Sequence, residues 1–441
     1  MTAGARAERR AVDRDILRLA VPALGALVAE PLFLLTDTAL IGHLGAAPLA
    51  GLGIAGTILQ TVVGLLVFLA YATTPTVARR LGAGNRPGAI RAGIDGLWLA
   101  LGLGVLLVAV GLPLAGTTVD LFGPEAAVAE AATVYLTISL WGLPGMLLVI
   151  AATGLLRGLQ DTRTPLIVAI AGFGVNAALN AVLIYGLGLG IAGSALGTVA
   201  AQWGMAAVYL VIAVRAARRE GIPLSPGLRG VSASAAAGGW LLLRTASLRA
   251  AMVATTVAGT AAGTAPLAAL QVTLTIFSLL AFVLDAYAIA GQALIGHGLG
   301  SADVPRVRLV TARLLRFGLL SGVVIGVAVA VTAPVIGVVF TSDAAVRALL
   351  PTMLWVLAAS VPLAGLVFVL DGILIGAGDA RYLAWTGLVN VAVYLPLLWL
   401  SSQADDPILW LVVAFAFGYL GARAVTLSLR SRGGHWMVTG A

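Results

Sequence analysis

The sequence predicts an all-α integral membrane protein of about twelve transmembrane helices, in two six-helix lobes related by a pseudo-two-fold axis along the membrane normal. Three observations predict this fold: the composition, a series of apolar runs of membrane-spanning length, and an internal repeat. Of 441 residues, 60% are hydrophobic and 10% are charged. Soluble domains are about 45–50% apolar and about 25% charged. Lipid must therefore be the solvent for most of this chain.

Apolar runs long enough to cross a bilayer, which takes about 20 residues, occur twelve times. The first run, residues 15–42, is too long for a signal-peptide core of roughly 7–15 residues and is expected to remain as the first span. The spans lie near 15–42, 48–78, 92–115, 127–157, 164–187, 190–214, 236–261, 266–297, 308–335, 346–376, 382–402 and 407–429.

The basic residues, all arginine, mark the orientation of the chain. They collect before the first span, after the even-numbered spans and at the carboxyl end, and only Arg347 lies on the opposite side. Because cytoplasmic loops collect Lys and Arg, the sequence predicts a multi-pass protein of the cell membrane with both termini cytoplasmic. Orientation also explains the net charge of +8, so we expect the lipid bilayer and not nucleic acid as the partner.

Two halves of the chain match each other at a constant shift of 218 residues. The shift places Pro87 on Pro305, Pro144 on Pro362, and the pair Asp161 and Arg163 on Asp379 and Arg381. Six spans per half, an even number, give both halves the same orientation, which predicts the axis along the membrane normal. We therefore predict an N-terminal lobe, 1–218, and a C-terminal lobe, 219–441, with a seam loop at about 215–234.

Acidic residues inside spans are functional candidates, because each costs about 2.5–3.5 kcal/mol on insertion scales. They are Glu30, Asp37, Asp285 and Asp371, whereas Asp95 lies near a span end and is expected to be solvated.

Polar residues in the first, fifth and sixth spans predict a pocket around Asp37. Asn176 and Asn180 are four residues apart and share a helix face, and Thr198 lies in the next span. One carboxylate, two amides and a hydroxyl could bind Na⁺. The carboxylate could equally accept a proton, since burial disfavours its charged form, or the group could be an interhelical hydrogen-bond cluster. Pro22 can bend the first helix.

Buried charges of the C-terminal lobe have a different pattern. Arg244 and Arg249 lie in span seven, with Asp285 and Asp371 in spans eight and ten. A structural ion pair is the favoured interpretation, and release of that pair by protonation is the alternative. The repeat partner of Asp37 is Thr255, so ion coupling need not be symmetric.

Enzymatic chemistry has little support in this sequence. There is no cysteine, the three histidines are scattered, and no lysine is available to complete a phosphate-binding loop. We expect no metal site, no cofactor and no enzyme activity.

Several motifs resemble the multidrug and toxic compound extrusion (MATE) family. Thr36-Asp37-Thr38-Ala39 with Pro22 resembles its first-helix pattern, and the segment from Gly154 to Pro165 resembles its fourth-helix signature. Four segments of the second half resemble the branch represented by DinF, the DNA-damage-inducible protein F. They are Leu243-Arg244-Thr245, Leu284-Asp285-Ala286-Tyr287-Ala288, Gly291-Gln292-Ala293 and the segment from Leu370 to Ala377.

The resemblance implies two lobes that open alternately around a central cavity, driven by H⁺ or Na⁺. It assigns the cation or proton role to Asp37, Asn176, Asn180 and Thr198, and the helix bend to Pro22. Several prokaryotic relatives have Asp where this chain has Asn180, which favours H⁺ over Na⁺ here. We thus expect a monomeric antiporter that exports small organic compounds, cationic ones included. A flippase of a lipid-linked precursor is the alternative, and would need a basic cavity to bind pyrophosphate.

Overall fold

The computed structural model describes residues 3–440 of the chain, without the side chains of Ala3, Ala5 and Glu30. The predicted contribution of Glu30 therefore lies outside the described residues. The described chain forms fifteen α-helices, two of which continue into a π-helical turn: α1 Ala3–Gly42, α2 Ala46–Leu66, α3 Phe68–Gly82, α4 Arg86–Asp120, α5 Ala126–Leu140, α6 Leu143–Gly158, α7 Arg163–Ala181 with the turn Val182–Gly186, α8 Gly190–Arg219, α9 Leu228–Thr260, α10 Thr264–Gly300, α11 Val304–Phe340, α12 Ala344–Gly376, α13 Ala380–Ser402, α14 Pro407–Val413 with the turn Ala414–Tyr419, and α15 Leu420–Arg432.

Eleven stretches of the described chain are long and apolar enough to cross a membrane as single spans. A twelfth consists of α5 and α6, which meet at an angle of 51°. The predicted all-α fold of about twelve spans is confirmed.

Contacts within the chain define two compact units. One unit consists of residues 25–238, and the other of residues 1–24 with 239–440. The helix α1 therefore contributes to both units, and the division between them falls between Leu24 and Gly25. We call them the 25–238 unit and the 239–440 unit. The predicted lobe boundary at 218/219 stays a prediction.

The repeat is visible in how two long helices begin. Asn85 caps α4 by accepting a hydrogen bond from the backbone N–H of Gly88 at 2.8 Å, and Asp303 caps α11 through Arg306 at 3.0 Å. Both caps precede a helix with proline in its first turn, where the missing N–H costs nothing. These positions are 218 residues apart, so each unit uses the same start signal.

Close helix packing depends on small residues, as is typical of membrane bundles. Gly318 in α11 faces Gly365 in α12, where a Cβ added to Gly365 would lie 2.2 Å from the carbonyl oxygen of Gly318. Any side chain at Gly365 would force these two helices apart.

Candidate functional site

The four residues predicted to surround a coupling site lie together in the 25–238 unit. The amide nitrogen of Asn180 donates to Asp37 Oδ1 at 2.8 Å and lies 3.1 Å from Asn176 Oδ1. The amide of Asn176 in turn donates to Thr198 Oγ1 at 3.2 Å. The three helices α1, α7 and α8 therefore bring these side chains into one cluster, while their roles stay predictions.

Two further residues of this cluster were not found from the sequence. The Ser194 hydroxyl donates to Asp37 Oδ1 at 2.7 Å, and the Tyr135 hydroxyl donates to Asp37 Oδ2 at 3.3 Å. Ser194 precedes Thr198 by one helical turn, so the spacing on α8 could have indicated it. Tyr135 comes from α5, and no local pattern links it to Asp37.

The carboxyl-terminal end of α1 is held in place beside this cluster. The π-helical turn after α7 carries Tyr185, whose hydroxyl donates to the backbone carbonyl of Leu40, one turn beyond Asp37. π-helical turns are often found at functional sites. Here the turn places Tyr185 at the end of α1, while Asn180, which lies just before the turn, donates its hydrogen bond to Asp37.

Burial and hydrogen bonding together define what Asp37 can do. Its side chain is 3% exposed, and Asn180 and Ser194 are fully buried. Three donors converge on the carboxylate, and hydrogen bonds to a charged form favour that form. Burial acts in the opposite direction, because low-polarity surroundings disfavour the charge. Asn180 Oδ1 accepts no hydrogen bond from the described residues, so one buried oxygen beside the carboxylate stays available.

The corresponding positions of the 239–440 unit are mostly apolar. Thr255, the repeat partner of Asp37, has its hydroxyl 2.7 Å from that of Tyr394, the repeat partner of Asn176. The positions that match Asn180 and Ser194 are Leu398 and Val412, both buried. A carboxylate cluster of this kind is therefore built into one unit alone among the described residues.

The 239–440 unit contains a buried charge cluster of its own. Arg244 in α9 contacts Asp371 in α12 through two atoms, with its Nε 3.2 Å from Oδ1 and its Nη2 against Oδ2. Arg423 in α15 reaches the same Oδ2 at 3.3 Å. All three side chains are more than nine-tenths buried. The expected contact between Arg244 and a buried acid is thus present, with Asp371 as the acid.

Arg423 is one of the arginines near the carboxyl end that the charge pattern predicts to be cytoplasmic. Its position inside the apolar run 407–429 was the signal that it could be buried. Asp285, the other acid predicted for this lobe, is only partly buried, and Arg249 is exposed.

Pro22 lies inside α1, which is continuous through this residue. Proline removes one backbone hydrogen bond from a helix and favours a kink. The division between the two units falls just after Leu24, so Pro22 is well placed for the predicted bend, which stays a prediction.

Asp95 was expected to be solvated, and this prediction is wrong. The residue is 4% exposed, it accepts a hydrogen bond from the backbone N–H of Gly227 at 2.8 Å, and it pairs with Arg91 at 3.4 Å. The connection between α8 and α9 covers it, and this connection is also tied to α4 by Trp98, which donates to Leu224 O at 2.8 Å. A distant segment that folds over a span end cannot be read from the span's own sequence.

No group of three or more His, Cys, Asp or Glu side chains suited to a metal ion occurs within residues 3–440 as described. A cation bound at Asp37 would therefore rely on amide and hydroxyl oxygens beside a single carboxylate.

Known proteins resemble this chain over most of its length. The family model MatE matches residues 22–182 and 247–400. The DNA damage-inducible protein F of Escherichia coli is 28% identical over 444 aligned positions, covering 96% of this chain and 93% of that protein. A probable multidrug resistance protein NorM of Bradyrhizobium diazoefficiens is 30% identical, with 88% and 86% covered. The crystal structure of the Vibrio cholerae MATE transporter VcmN in the bent form has the same fold, with a TM-score of 0.88 at 22% identity over 98% and 99% of the two chains.

The family match covers well over half of the chain and both of its units. The resemblance predicted from the motifs is thereby confirmed, including the likeness to the DinF protein. Members of this family are transporters of small organic compounds and not enzymes. The chain therefore belongs to the MATE family of multi-pass membrane transporters.

Proposed function

We propose that this MATE transporter exports small organic compounds in exchange for protons, by alternating access, with Asp37 as the proton acceptor. The observation that carries the proposal is the buried carboxylate of Asp37 with three hydrogen-bond donors directed at it. The exported compounds are taken to be amphipathic, with cationic ones among them, and the working unit is taken to be the monomer.

A proton on Asp37 would rearrange the cluster. A carboxylate accepts hydrogen bonds at both oxygens, whereas the protonated acid has an O–H that must itself find an acceptor. Ser194 and Asn180 both donate to Oδ1, so protonation at this oxygen displaces at least one donor. Asn180 Oδ1 is an acceptor without a partner among the described residues. Protonation thus changes which groups hold α1 against α7 and α8.

Sodium coupling is the alternative for the same residues. Hard cations prefer carboxylate, carbonyl and hydroxyl oxygens, and Asn176, Asn180 and Thr198 could supply them. The donors directed at Asp37 occupy lone pairs that either ion would need, so they do not distinguish the proton from Na⁺. The absence of a second carboxylate at Asn180 favours the proton, because a proton needs one carboxylate oxygen whereas a bound Na⁺ is stabilised by additional anionic oxygens.

The test is transport by purified protein in proteoliposomes, with pH and Na⁺ gradients imposed separately. Export should follow the pH gradient and should be unchanged by the Na⁺ gradient. Asp37→Asn should abolish export, since the amide cannot carry the proton, while the thermal unfolding temperature stays near that of the wild type. Asp120→Asn, at the end of α4 and far along the chain from the cluster, is the control.

Two outcomes would contradict the proposal. Full export by Asp37→Asn would remove Asp37 from the coupling mechanism. Export that is driven by the Na⁺ gradient and unaffected by the pH gradient would keep Asp37 as the candidate site and identify Na⁺ as the coupling ion.

A further inference from the structure

A row of exposed arginines lies on one side of the first half of α1. Arg10, Arg14 and Arg18 are all exposed, and they follow one another at intervals of four residues. This spacing places them on the same side of the helix. From the first to the third, the row extends about 12 Å along the helix axis, at 1.5 Å per residue. We call these three side chains the basic face.

Other sides of the same helix attach it to the protein. Ile16 is fully buried. Asp13 and Asp15 form ion pairs with two arginines of α11, within the 239–440 unit. Both carboxylates are therefore directed at α11, and neither forms an ion pair with the basic face.

The basic face has no protein partner of its own. Over the part of the chain that the structure describes, its three guanidinium groups form no ion pair and no side-chain hydrogen bond. Near the start of α4 the arrangement differs, since Arg80, Arg86 and Arg91 each donate to an oxygen of the protein. The tendency of arginine to collect in cytoplasmic connections accounts for the number of arginines, but it does not require three of them to share one exposed side of a helix.

The basic face continues directly into exposed apolar side chains. Leu17, Val21 and Val28 are 41%, 61% and 41% exposed. They follow Arg14 by three, seven and fourteen residues, and these intervals return to the same side of a helix. A partner that covers both parts needs negative charge at one end and hydrocarbon at the other. A phospholipid has this arrangement, whereas an acidic protein or a nucleic acid would leave the apolar side chains uncovered.

The dimensions of the basic face also suit a lipid. Arg14 and Arg18 lie about 6 Å apart along the helix axis, and the headgroup layer on each side of a bilayer is roughly 5–8 Å thick. Arg10 lies one turn farther out, and a long arginine side chain can extend several ångströms back toward this layer. All three charges can thus reach the same layer of phosphate groups.

We propose that the basic face, together with Leu17 and Val21, binds anionic phospholipids of the cytoplasmic leaflet through their phosphate groups. The planar guanidinium donates two parallel N–H groups to phosphate oxygens. Basic segments next to a span are attracted to anionic headgroups, and this attraction is confined to about a Debye length. The bound lipids hold the half of α1 that belongs to the 239–440 unit at the membrane surface. This proposal depends neither on Asp37 nor on the coupling ion.

The experiment is thermal unfolding of the purified full-length transporter in micelles of a neutral detergent, with added dioleoylphosphatidylglycerol or dioleoylphosphatidylcholine. The acyl chains of the two lipids are identical, so a difference between them reports on the headgroup. Phosphatidylglycerol should raise the unfolding temperature in a saturable way and at lower concentration. The triple variant Arg10→Gln/Arg14→Gln/Arg18→Gln should weaken its apparent affinity about 100-fold, since each basic side chain near an anionic surface contributes a factor of roughly five. The response to phosphatidylcholine should be unchanged.

Two further variants complete the test. Arg215→Gln/Arg218→Gln/Arg219→Gln removes the same number of exposed arginines from the end of α8, and it should retain the affinity of the wild type for phosphatidylglycerol. The single variant Arg14→Gln should weaken that affinity about fivefold, and it serves as the test if the triple variant in α1 does not fold.

Three results would overturn the proposal. The two lipids could stabilise the wild type equally. The triple variants in α1 and α8 could lose the same affinity, which would assign the attraction to total charge. Glycerol 3-phosphate could stabilise the protein as well as phosphatidylglycerol does, which would make a soluble phosphate the ligand. Because no gradient and no transported compound is used, failure of this proposal and failure of proton coupling at Asp37 are independent results.

Discussion

At the scale of single residues, the Ser194 hydroxyl donates the shortest of the three hydrogen bonds to Asp37, at 2.7 Å. The hydroxyl is fully buried, so water does not replace it when it is removed. A hydrogen bond to a charged group contributes about 1.5–3 kcal/mol. Ser194 is therefore expected to stabilise the ionised carboxylate that must form in each proton cycle.

Replacing Ser194 with alanine should lower the export rate by roughly tenfold or more, because about 1.4 kcal/mol corresponds to a factor of ten. Initial export rates in proteoliposomes under a fixed pH gradient measure this change. Ser360→Ala is the matched control, since Ser360 is equally buried and its hydroxyl bonds to its own helix at Leu357 O. Equal rates for the two variants would remove Ser194 from the coupling cluster.

At the scale of helices, α1 is attached to α11 by two ion pairs near its start. Asp13 binds Arg313 through both oxygens, at 2.6 and 2.5 Å, and Asp15 binds Arg306 at 3.0 Å. These contacts lie within the 239–440 unit, whereas Asp37 at the other end of α1 belongs to the 25–238 unit. One continuous helix thus connects the proposed coupling cluster to the opposite unit.

A charge reversal tests the attachment of α1. Asp13→Arg and Arg313→Asp should each destabilise the protein, and the double variant should recover about 1 kcal/mol, since two-point pairs with partial burial exceed exposed pairs. A double-mutant cycle from thermal unfolding gives this coupling energy. The control pair is Arg86–Glu220, a single contact with side chains 59% and 27% exposed, for which coupling close to zero is expected. A zero coupling energy for Asp13 and Arg313 would show that their contact does not hold α1.

At the scale of the whole molecule, the arginine distribution predicts the orientation of every connection. The connection 220–227 between α8 and α9 is expected on the cytoplasmic side, and residues 341–343 between α11 and α12 on the outside. The chain has no cysteine, so any introduced thiol is the sole labelling site. The predicted cytoplasmic location of both termini follows from the same charge rule.

Single-cysteine labelling in intact cells tests this orientation. Ser225→Cys should react with a membrane-impermeant maleimide only after the cells are opened, and Ser342→Cys should react before. Both residues are exposed, so differences in reaction reflect the side of the membrane. The reverse pattern would invert the predicted topology, and labelling of both sites in intact cells would contradict it.

The sequence by itself determined the class of fold, the number of spans and the family, because apolar length, charge placement and repeat spacing are properties of the chain that need no partner. It also identified four residues of the cluster around Asp37, because helical spacing places Asn176 and Asn180 on one face. Only the tertiary structure brought in Tyr135 and Ser194, buried Asp95 beneath the α8–α9 connection, and placed Arg423 against Asp371. Such contacts join segments that are far apart in the chain, and they depend on how each helix is rotated about its axis. When a helix is hydrophobic on most of its faces, its sequence does not determine that rotation.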